Sequence, residues 1–294
     1  SAAMTEAAGA PRRPALRCRY VRLPLDLPEG ADAESLLRDD LEVDPDGLLR
    51  LPREEGDEAV QPGVCGPPFA RCARLVAVSD THGLHGQLRR LPRGDLLVHC
   101  GDFTNFGEDA EFGRFNSWLL DVAVPLFGDR IFCLAGNHER ARRRQGLERA
   151  VMVPHAQLLE QQLAKRRLLP AGMRLFGLSW RQGCRALPEP RVDVFLSHAP
   201  PAGILDTNLR GSSCGDGSVR GLVEQGAPRL HLFGHIHEAY GAELREFVPG
   251  RWTLLMNISN AAPPPGLPPA VPGYIQFPVT VVDIELPEEL GATL

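Results

Sequence analysis

The chain has no apolar run approaching the roughly 20 residues a membrane-spanning helix needs. Its apolar stretches, such as Leu96 to Val98 and Leu254 to Met256, are far shorter. No bilayer span is expected. The N-terminus also lacks the basic-then-apolar order of a secretory signal, and Ser1-Ala2-Ala3 ahead of Met4 reads as an expression remnant, so a cytoplasmic location is the default expectation. Cysteine is scarce. Cys18, Cys65, Cys72, Cys100, Cys133, Cys184 and Cys214 are odd in number and lack CxxC spacing, which argues against a disulfide framework or a zinc knuckle and leaves reduced packing residues. Nor is there a surplus of positive charge: 32 Lys and Arg face 37 Asp and Glu. General duplex-DNA binding, which draws its affinity from neutralised backbone phosphates, is therefore not expected. The Arg142-Arg143-Arg144 run reads as the solvated face of a helix. No internal repeat is visible.

What the chain does have is enough apolar residue, 43% of 294, for a substantial core. Residues 1–70 are rich in Pro, Gly, Asp and Glu and read as an irregular N-terminal extension, part of which could lie along the core as edge structure. From Arg74 onward strand-like runs recur at Leu75 to Val78, Leu96 to His99, Ile131 to Ala135, Leu175 to Leu178, Val192 to Ser197 and Leu230 to Gly234. Two more lie near Thr253 to Ile258 and Val279 to Ile284. Helix-like spacing separates some of them, notably over Asp109 to Val122, where Phe112, Phe115, Leu119 and Val122 recur, and over Ser218 to Gln225. The expected class is α/β, with two packed sheets flanked by helices. Pro263 to Pro272 reads as a loop.

Polar, metal-competent residues stand directly behind five of the apolar runs, where strands end and ligands bind. They are Asp80-Thr81-His82, Gly101-Asp102, Gly136-Asn137-His138-Glu139, His198 and Gly234-His235-Ile236-His237. Each alone is weak, since a lone Asp-x-His or Gly-Asp is usually surface or turn chemistry. Five in succession are not. Carboxylate, imidazole and amide oxygen together suit Mn, Fe or Zn better than Ca or Mg. A spacing of two is expected to send Asp80 and His82, and likewise His235 and His237, to one side of an extended backbone, each pair serving one centre. Glycines 101, 136 and 234 are expected to let the backbone turn sharply beside them. His99 and His231, inside strand-like runs, read as core residues, and Cys100 as a small buried hydrophobe.

These motifs resemble the signature of the calcineurin-like metallophosphoesterase superfamily, over roughly residues 74 to 285. The segments Ser197 to Asp206 and Leu230 to Gly241 resemble the subgroup that includes the metallophosphoesterase-domain-containing phosphodiesterases. The resemblance implies a two-sheet β sandwich flanked by helices, α-β-β-α in layers, with residues 71–294 as the metallophosphoesterase domain. It implies two divalent or trivalent transition metal ions, one on Asp80, His82 and His237, the other on Asn137, His198 and His235, with Asp102 between them and His138 as proton donor. Some relatives carry glycine at the place of His235; this chain keeps the histidine. Glu139 is expected to orient an imidazole or to favour the start of a helix.

Related protein phosphatases follow Gly-Asp with an Asp-Arg pair that helps hold a phosphomonoester dianion. Here Phe103-Thr104 follows, so a phosphodiester, such as a cyclic nucleotide, is the expected small-molecule substrate. A phosphomonoesterase, or a metal-binding scaffold with little catalysis, is the alternative. Arg210 or Arg181 could replace the missing cation, although a solvated role is favoured for both. Phe103, Phe106 and Trp180 read as core packing ahead of base stacking. Membrane association is not expected, and the sequence does not identify a protein partner.

Overall fold

A computed structural model describes residues 17–23, 31–43, 49–50, 71–88, 91–144, 153–170, 172–262 and 273–286. In chain order its strands are β1 (Arg17–Leu23), β2 (Leu37–Val43), β3 (Leu49–Arg50), β4 (Cys72–Val78), β5 (Leu96–His99), β6 (Ile131–Cys133), β7 (Gln157–Leu158) and β8 (Gln161–Leu163). The second half adds β9 (Leu175–Leu178), β10 (Val194–Ser197), β11 (Leu230–Phe233), β12 (Gly241–Val248), β13 (Arg251–Asn257), β14 (Ala261–Ala262), β15 (Tyr274–Ile275) and β16 (Val279–Glu285). One sheet runs β3-β2-β1-β16-β4-β5-β6-β7 and the other β12-β13-β11-β10-β9-β8, with β14 and β15 pairing separately.

Alternation along the strands creates the layers. In β4, Leu75 and Ala77 face the core shared with the second sheet, where Val194, Leu196, Leu230 and Leu232 meet them. Val76 and Val78 point the other way, toward Phe115, Trp118 and Leu119 of the helix Asp109–Trp118 and its wider continuation Leu119–Ala123. The second sheet does the same. Phe195 and Phe233 turn outward onto Val219, Leu222 and Val223 of the helix Gly217–Gly226. Helix, sheet, sheet and helix thus stack as a sandwich. Burying the aromatic and branched side chains of three clusters supplies roughly 1.5–3 kcal/mol for each large side chain.

Strands β4, β5 and β6 are mutually parallel, as are β9, β10, β11 and β13, so their carboxyl ends share one edge of the molecule. The two sets are tied at that edge by Asn260 N–H on Ser79 O at 2.9 Å and by Trp180 N–H on Ala135 O at 2.8 Å. The expected strands and helices recur with small shifts at their ends. The edge strand Gly241–Val248 was not anticipated: Glu243, Arg245 and Glu246 interrupt its apolar residues, of which Ala242 and Leu244 pack on the core between the sheets and Phe247 on the outer cluster. His231 is a core residue as expected, its ring stacked on Phe195 at 4.5 Å and burial pushing its pKa down to about 3. Cys100 and Cys133 are buried thiols, and Cys72, Cys184 and Cys214 are also free. Cys18, Cys65 and the Pro263 to Pro272 loop lie wholly or in their side chains outside the described residues, as do the side chains of Arg142 to Arg144. Among the described residues no helix is long and apolar enough to cross a membrane.

The N-terminal segment, read as irregular with part of it as edge structure, contributes three strands at one edge of the first sheet. Strand β1 enters beside β16 in parallel register, and β16 in turn pairs antiparallel with β4. A buried carboxylate fixes this insertion. Asp283 of β16 accepts from Tyr20 Oη at 2.6 Å and from both Nε and Nη2 of Arg74 at 2.7 Å. Removing the carboxylate strands a largely buried guanidinium, and breaking such a pair on one side costs about 3–5 kcal/mol. Losing one hydrogen bond to a carboxylate costs about 1.5–3 kcal/mol. Urea unfolding should accordingly find Asp283→Ala destabilised about twice as much as Tyr20→Phe; equal losses would mean the network does not anchor the strand.

Candidate metal centre

The seven expected ligands and His138 all sit at the shared strand edge. Asp80 and His82 follow β4, Asp102 follows β5, Asn137 and His138 open the helix Asn137–Arg144 after β6, His198 follows β10, and His235 and His237 follow β11. Their donor atoms converge. Asp80 Oδ1 is 3.3 Å from His237 Nε2, which is 3.2 Å from His82 Nε2. On the other side Asp102 Oδ2 is 3.3 Å from His198 Nε2, which is 2.9 Å from Asn137 Oδ1. Asp80, His82 and His237 form one compact donor group and Asp102, His198 and His235 another; Asp102 also groups with His82 and His138 and so lies between the two.

The pairing corrects one expectation from spacing. His235 and His237 do not serve one centre but divide between the two, and the backbone there is not extended. Asp80, His82, Asp102 and His235 adopt φ of 53°, 42°, 53° and 71°. Left-handed backbone at residues with a Cβ is rare, costs roughly 1–3 kcal/mol each, and clusters at functional sites. Of the three motif glycines, only Gly101 has positive φ. Gly136 and Gly234 are there for space: a Cβ at Gly136 would lie 2.1 Å from Asp102 Oδ1, and one at Gly234 2.0 Å from Asp80 Oδ2.

The electrostatics follow from burial. For Asp80, burial alone would raise the pKa, but the hydrogen bond and charge of His237, aided by His198 and His82, hold the carboxyl well below its usual range. Asp102 is likewise held low against burial by His198 and His82. In return burial, which would lower His198, is overcome by Asp102, and its pKa rises to about 9. Burial drives His82 and His235 down to about 4. His198 Nδ1 lies 2.8 Å from Cys100 O, which places one proton on that nitrogen and turns Nε2 toward Asp102 and Asn137, where the imidazolium donates its second proton and metal binding would release it. Ring nitrogens and oxygens thus converge at about 3 Å. That is the separation of ligands around a transition metal at about 2.1 Å, so the donor set fits such ions.

Residues outside the expected set brace this arrangement. Glu139 touches no imidazole. Its Oε2 accepts from Asp102 N at 2.9 Å and Gly136 N at 2.8 Å, the second bond being the return half of a helix-start cap, and its Oε1 accepts from Thr104 N and Oγ1. Burial and the charge of Asp102 push its pKa up to about 7. Ser259 Oγ and Ser79 Oγ donate to Asp80 Oδ2 at 3.0 and 2.6 Å, and Asn260 Oδ1 accepts from Ser79 N at 2.9 Å. The polar group Asn257-Ile258-Ser259-Asn260 behind β13 is the same kind of signal that marks the ligands. Phe103 is a core residue as expected, stacked on Phe115 at 4.1 Å. Phe106 and Trp180 are not: Phe106 is exposed, and the half-buried indole of Trp180 lies 4.6 Å from the His235 ring.

Glu139→Gln keeps the shape but replaces one acceptor oxygen with a donor facing backbone N–H groups. Metal affinity, read by titration with Mn against a chelator, should fall about 10–100-fold with the fold retained, the usual cost of losing such a brace. Unchanged affinity would show that the loops hold their geometry without it.

Comparison with known proteins bears on this edge of the molecule. A Caenorhabditis elegans UPF0046 protein is 30% identical over 207 residues, spanning 60% of this chain and 72% of that protein. Human Metallophosphoesterase domain-containing protein 1 is 28% identical over 209 residues, spanning 57% of this chain and 61% of that protein, so the chain matches less than two thirds of the human relative's length. The crystal structure of TT1561 of Thermus thermophilus superposes with a TM-score of 0.39 at 13% identity, over 65% of this chain and 92% of that one. The sequence profile described as calcineurin-like phosphoesterase matches residues 73–239, more than half of the chain. That span opens within β4 and closes just beyond His237, enclosing both donor groups, and the chain belongs to the calcineurin-like phosphoesterase family.

Proposed function

We propose that the protein is a two-metal phosphodiesterase acting on small phosphodiesters, cyclic nucleotides among them. The observation that carries this reading is the pair of donor groups with Asp102 between them. Asp80, His82 and His237 would hold one ion and Asn137, His198 and His235 the other, with Mn, Fe or Zn suiting these donors. When bound, the ions would supply Lewis acidity toward water and toward the phosphoryl oxygens.

The protein's own groups do the rest. Asp102 Oδ1 accepts from His138 N at 2.9 Å, which sets the first turn of the helix and points the His138 ring toward the site. His138 Nδ1 is hydrogen-bonded to Asn105 O, and Nε2 lies 3.9 Å from Asp102 Oδ2 with part of the ring open to solvent. Fixed in this way, a doubly protonated His138 would present Nε2–H to the leaving oxygen as general acid. The loop after Asp102 offers no cation: Phe103 is buried, and Thr104 is bound to Glu139. A singly charged diester asks for less positive charge than a dianionic monoester, which favours the diesterase.

Chelator-stripped protein reloaded with Mn should hydrolyse bis(p-nitrophenyl) phosphate faster than p-nitrophenyl phosphate. Asn137→Ala and His235→Ala should each lose activity by at least about 100-fold, as expected when a metal ligand is removed. Faster cleavage of the monoester would make the protein a phosphatase. Two bound metals without turnover of either ester would sink the enzymatic reading in favour of a metal-binding scaffold.

A further inference from the structure

Of the strand ends crowded around the site, the one after β9, like that after β13, supplies neither carboxylate nor imidazole. It carries Trp180 and Arg181 instead. The turn is pinned to the loop that opens the Asn137 helix: Ser179 Oγ accepts from Ala135 N at 2.9 Å, and Trp180 N donates to Ala135 O at 2.8 Å. The indole rests against both imidazoles of the second donor group, its centroid 4.6 Å from that of His235 and 5.6 Å from that of His198.

Arg181 then adopts φ of 54°, a left-handed conformation disfavoured for any residue with a Cβ. Its guanidinium carbon lies 5.5 Å from the centroid of Trp180, one ring removed from His235. Among the described residues this guanidinium has no carboxylate or hydrogen-bonding partner. Arg140, on the helix that carries Asn137, is by contrast paired with Glu160. An arginine resting on an aromatic face has given up rotamer freedom before anything binds, while its N–H edge stays open to an oxyanion. Backbone strain, an unpaired cation and an aromatic platform that itself rests on the imidazoles of the second donor group together describe a prepared anion contact.

We propose that Arg181 binds a phosphate oxygen of the substrate and that Trp180 is its positioning residue, an assignment that rests on the phosphoesterase reading of the metal centre. It adds a single protein cation at the end of β9, in proportion to a singly charged diester, while the Asp102-Phe103-Thr104 loop still supplies none. The substrate contact is non-metal and lies on the His198 and His235 side.

Calorimetric titration of inorganic phosphate into the Mn-loaded full-length chain reads this subsite without turnover. Arg181→Ala should weaken phosphate binding about tenfold at unchanged metal content, the scale of a charge-assisted hydrogen bond. Arg181→Lys should recover part of the loss. Trp180→Ala should weaken binding similarly, and the double variant no further, because the indole acts through the guanidinium. With bis(p-nitrophenyl) phosphate, Arg181→Ala should raise KM while leaving kcat little changed. Unaltered phosphate binding in Arg181→Ala, or losses in the double variant that simply add, would overturn the proposal. Wild-type protein that binds metal and phosphate through Arg181 yet cleaves no ester would instead retire the diesterase while leaving the anion contact standing.

Discussion

Two carboxylates, Asp80 and Asp102, end adjacent parallel strands with almost no solvent contact, and a protein interior accepts such charges only when positive charge faces them. In the protein alone, imidazoles meet that demand. His198 is lifted to a pKa of about 9 and His237 is raised as well, each against the pull of burial. The imidazoles of His82 and His235, driven down to about 4, contribute lone pairs rather than charge. The two imidazoliums therefore offset the two carboxylates, and a pair of metal ions would take over that role by releasing the imidazolium protons, so that every ring nitrogen facing the site offers a lone pair.

The backbone is arranged around the same demand. Four of the donor residues sit in left-handed conformations, so the strand ends are held rather than relaxed. What holds them is a set of short bonds between loops: His235 N–H on both oxygens of Asp80 at 3.0 Å, His82 N–H on Asp102 O, and the Glu139 carboxylate across two loops. Each loop fixes its neighbour, and the apolar layers beneath set the strands from which they start. The glycines belong to this scheme less as hinges than as clearances. At Gly136 and Gly234 the nearest atoms are the carboxylate oxygens themselves.

The sandwich and the convergence of the candidate donors were legible because both depend on local pattern. Alternating apolar runs mark buried strands, and polar residues directly behind them mark strand ends, so Asp80, Asp102, Asn137, His198 and His235 could be found by position alone. The division of His235 and His237 between two centres could not be read from spacing, because a period of two holds only for extended backbone and φ at His235 is 71°. Glu139 was ambiguous because its partners, Asp102 N and Thr104 N, are far away in sequence. Trp180 was misread as core for a related reason: an aromatic residue after a strand looks the same whether it packs inward or against imidazoles from two other strands. The N-terminal strands were hidden by composition, since Arg17–Leu23 alternates charge with apolar residues and is ordered by long-range pairing with β16.

That pairing ties the far end of the sequence to the site. Strand β4 carries Asp80 and His82 at its carboxyl end, and near its start Arg74 is locked to Asp283, which also receives Tyr20 of β1. Arg19, the neighbouring residue of β1, lies over the ring of Tyr240 at 5.2 Å, and Tyr240 is stacked on Phe277 at 4.3 Å. Tyr240 follows the short turn His237–Ala239, so the element presenting His237 is backed by the same N-terminal strand. Asp80 and His237, 3.3 Å apart at one donor group, are thus supported from behind through two separate contacts of β1. Metal ligands need placement within a few tenths of an ångström, and a segment outside the matched family region contributes to holding two of the candidate ligands.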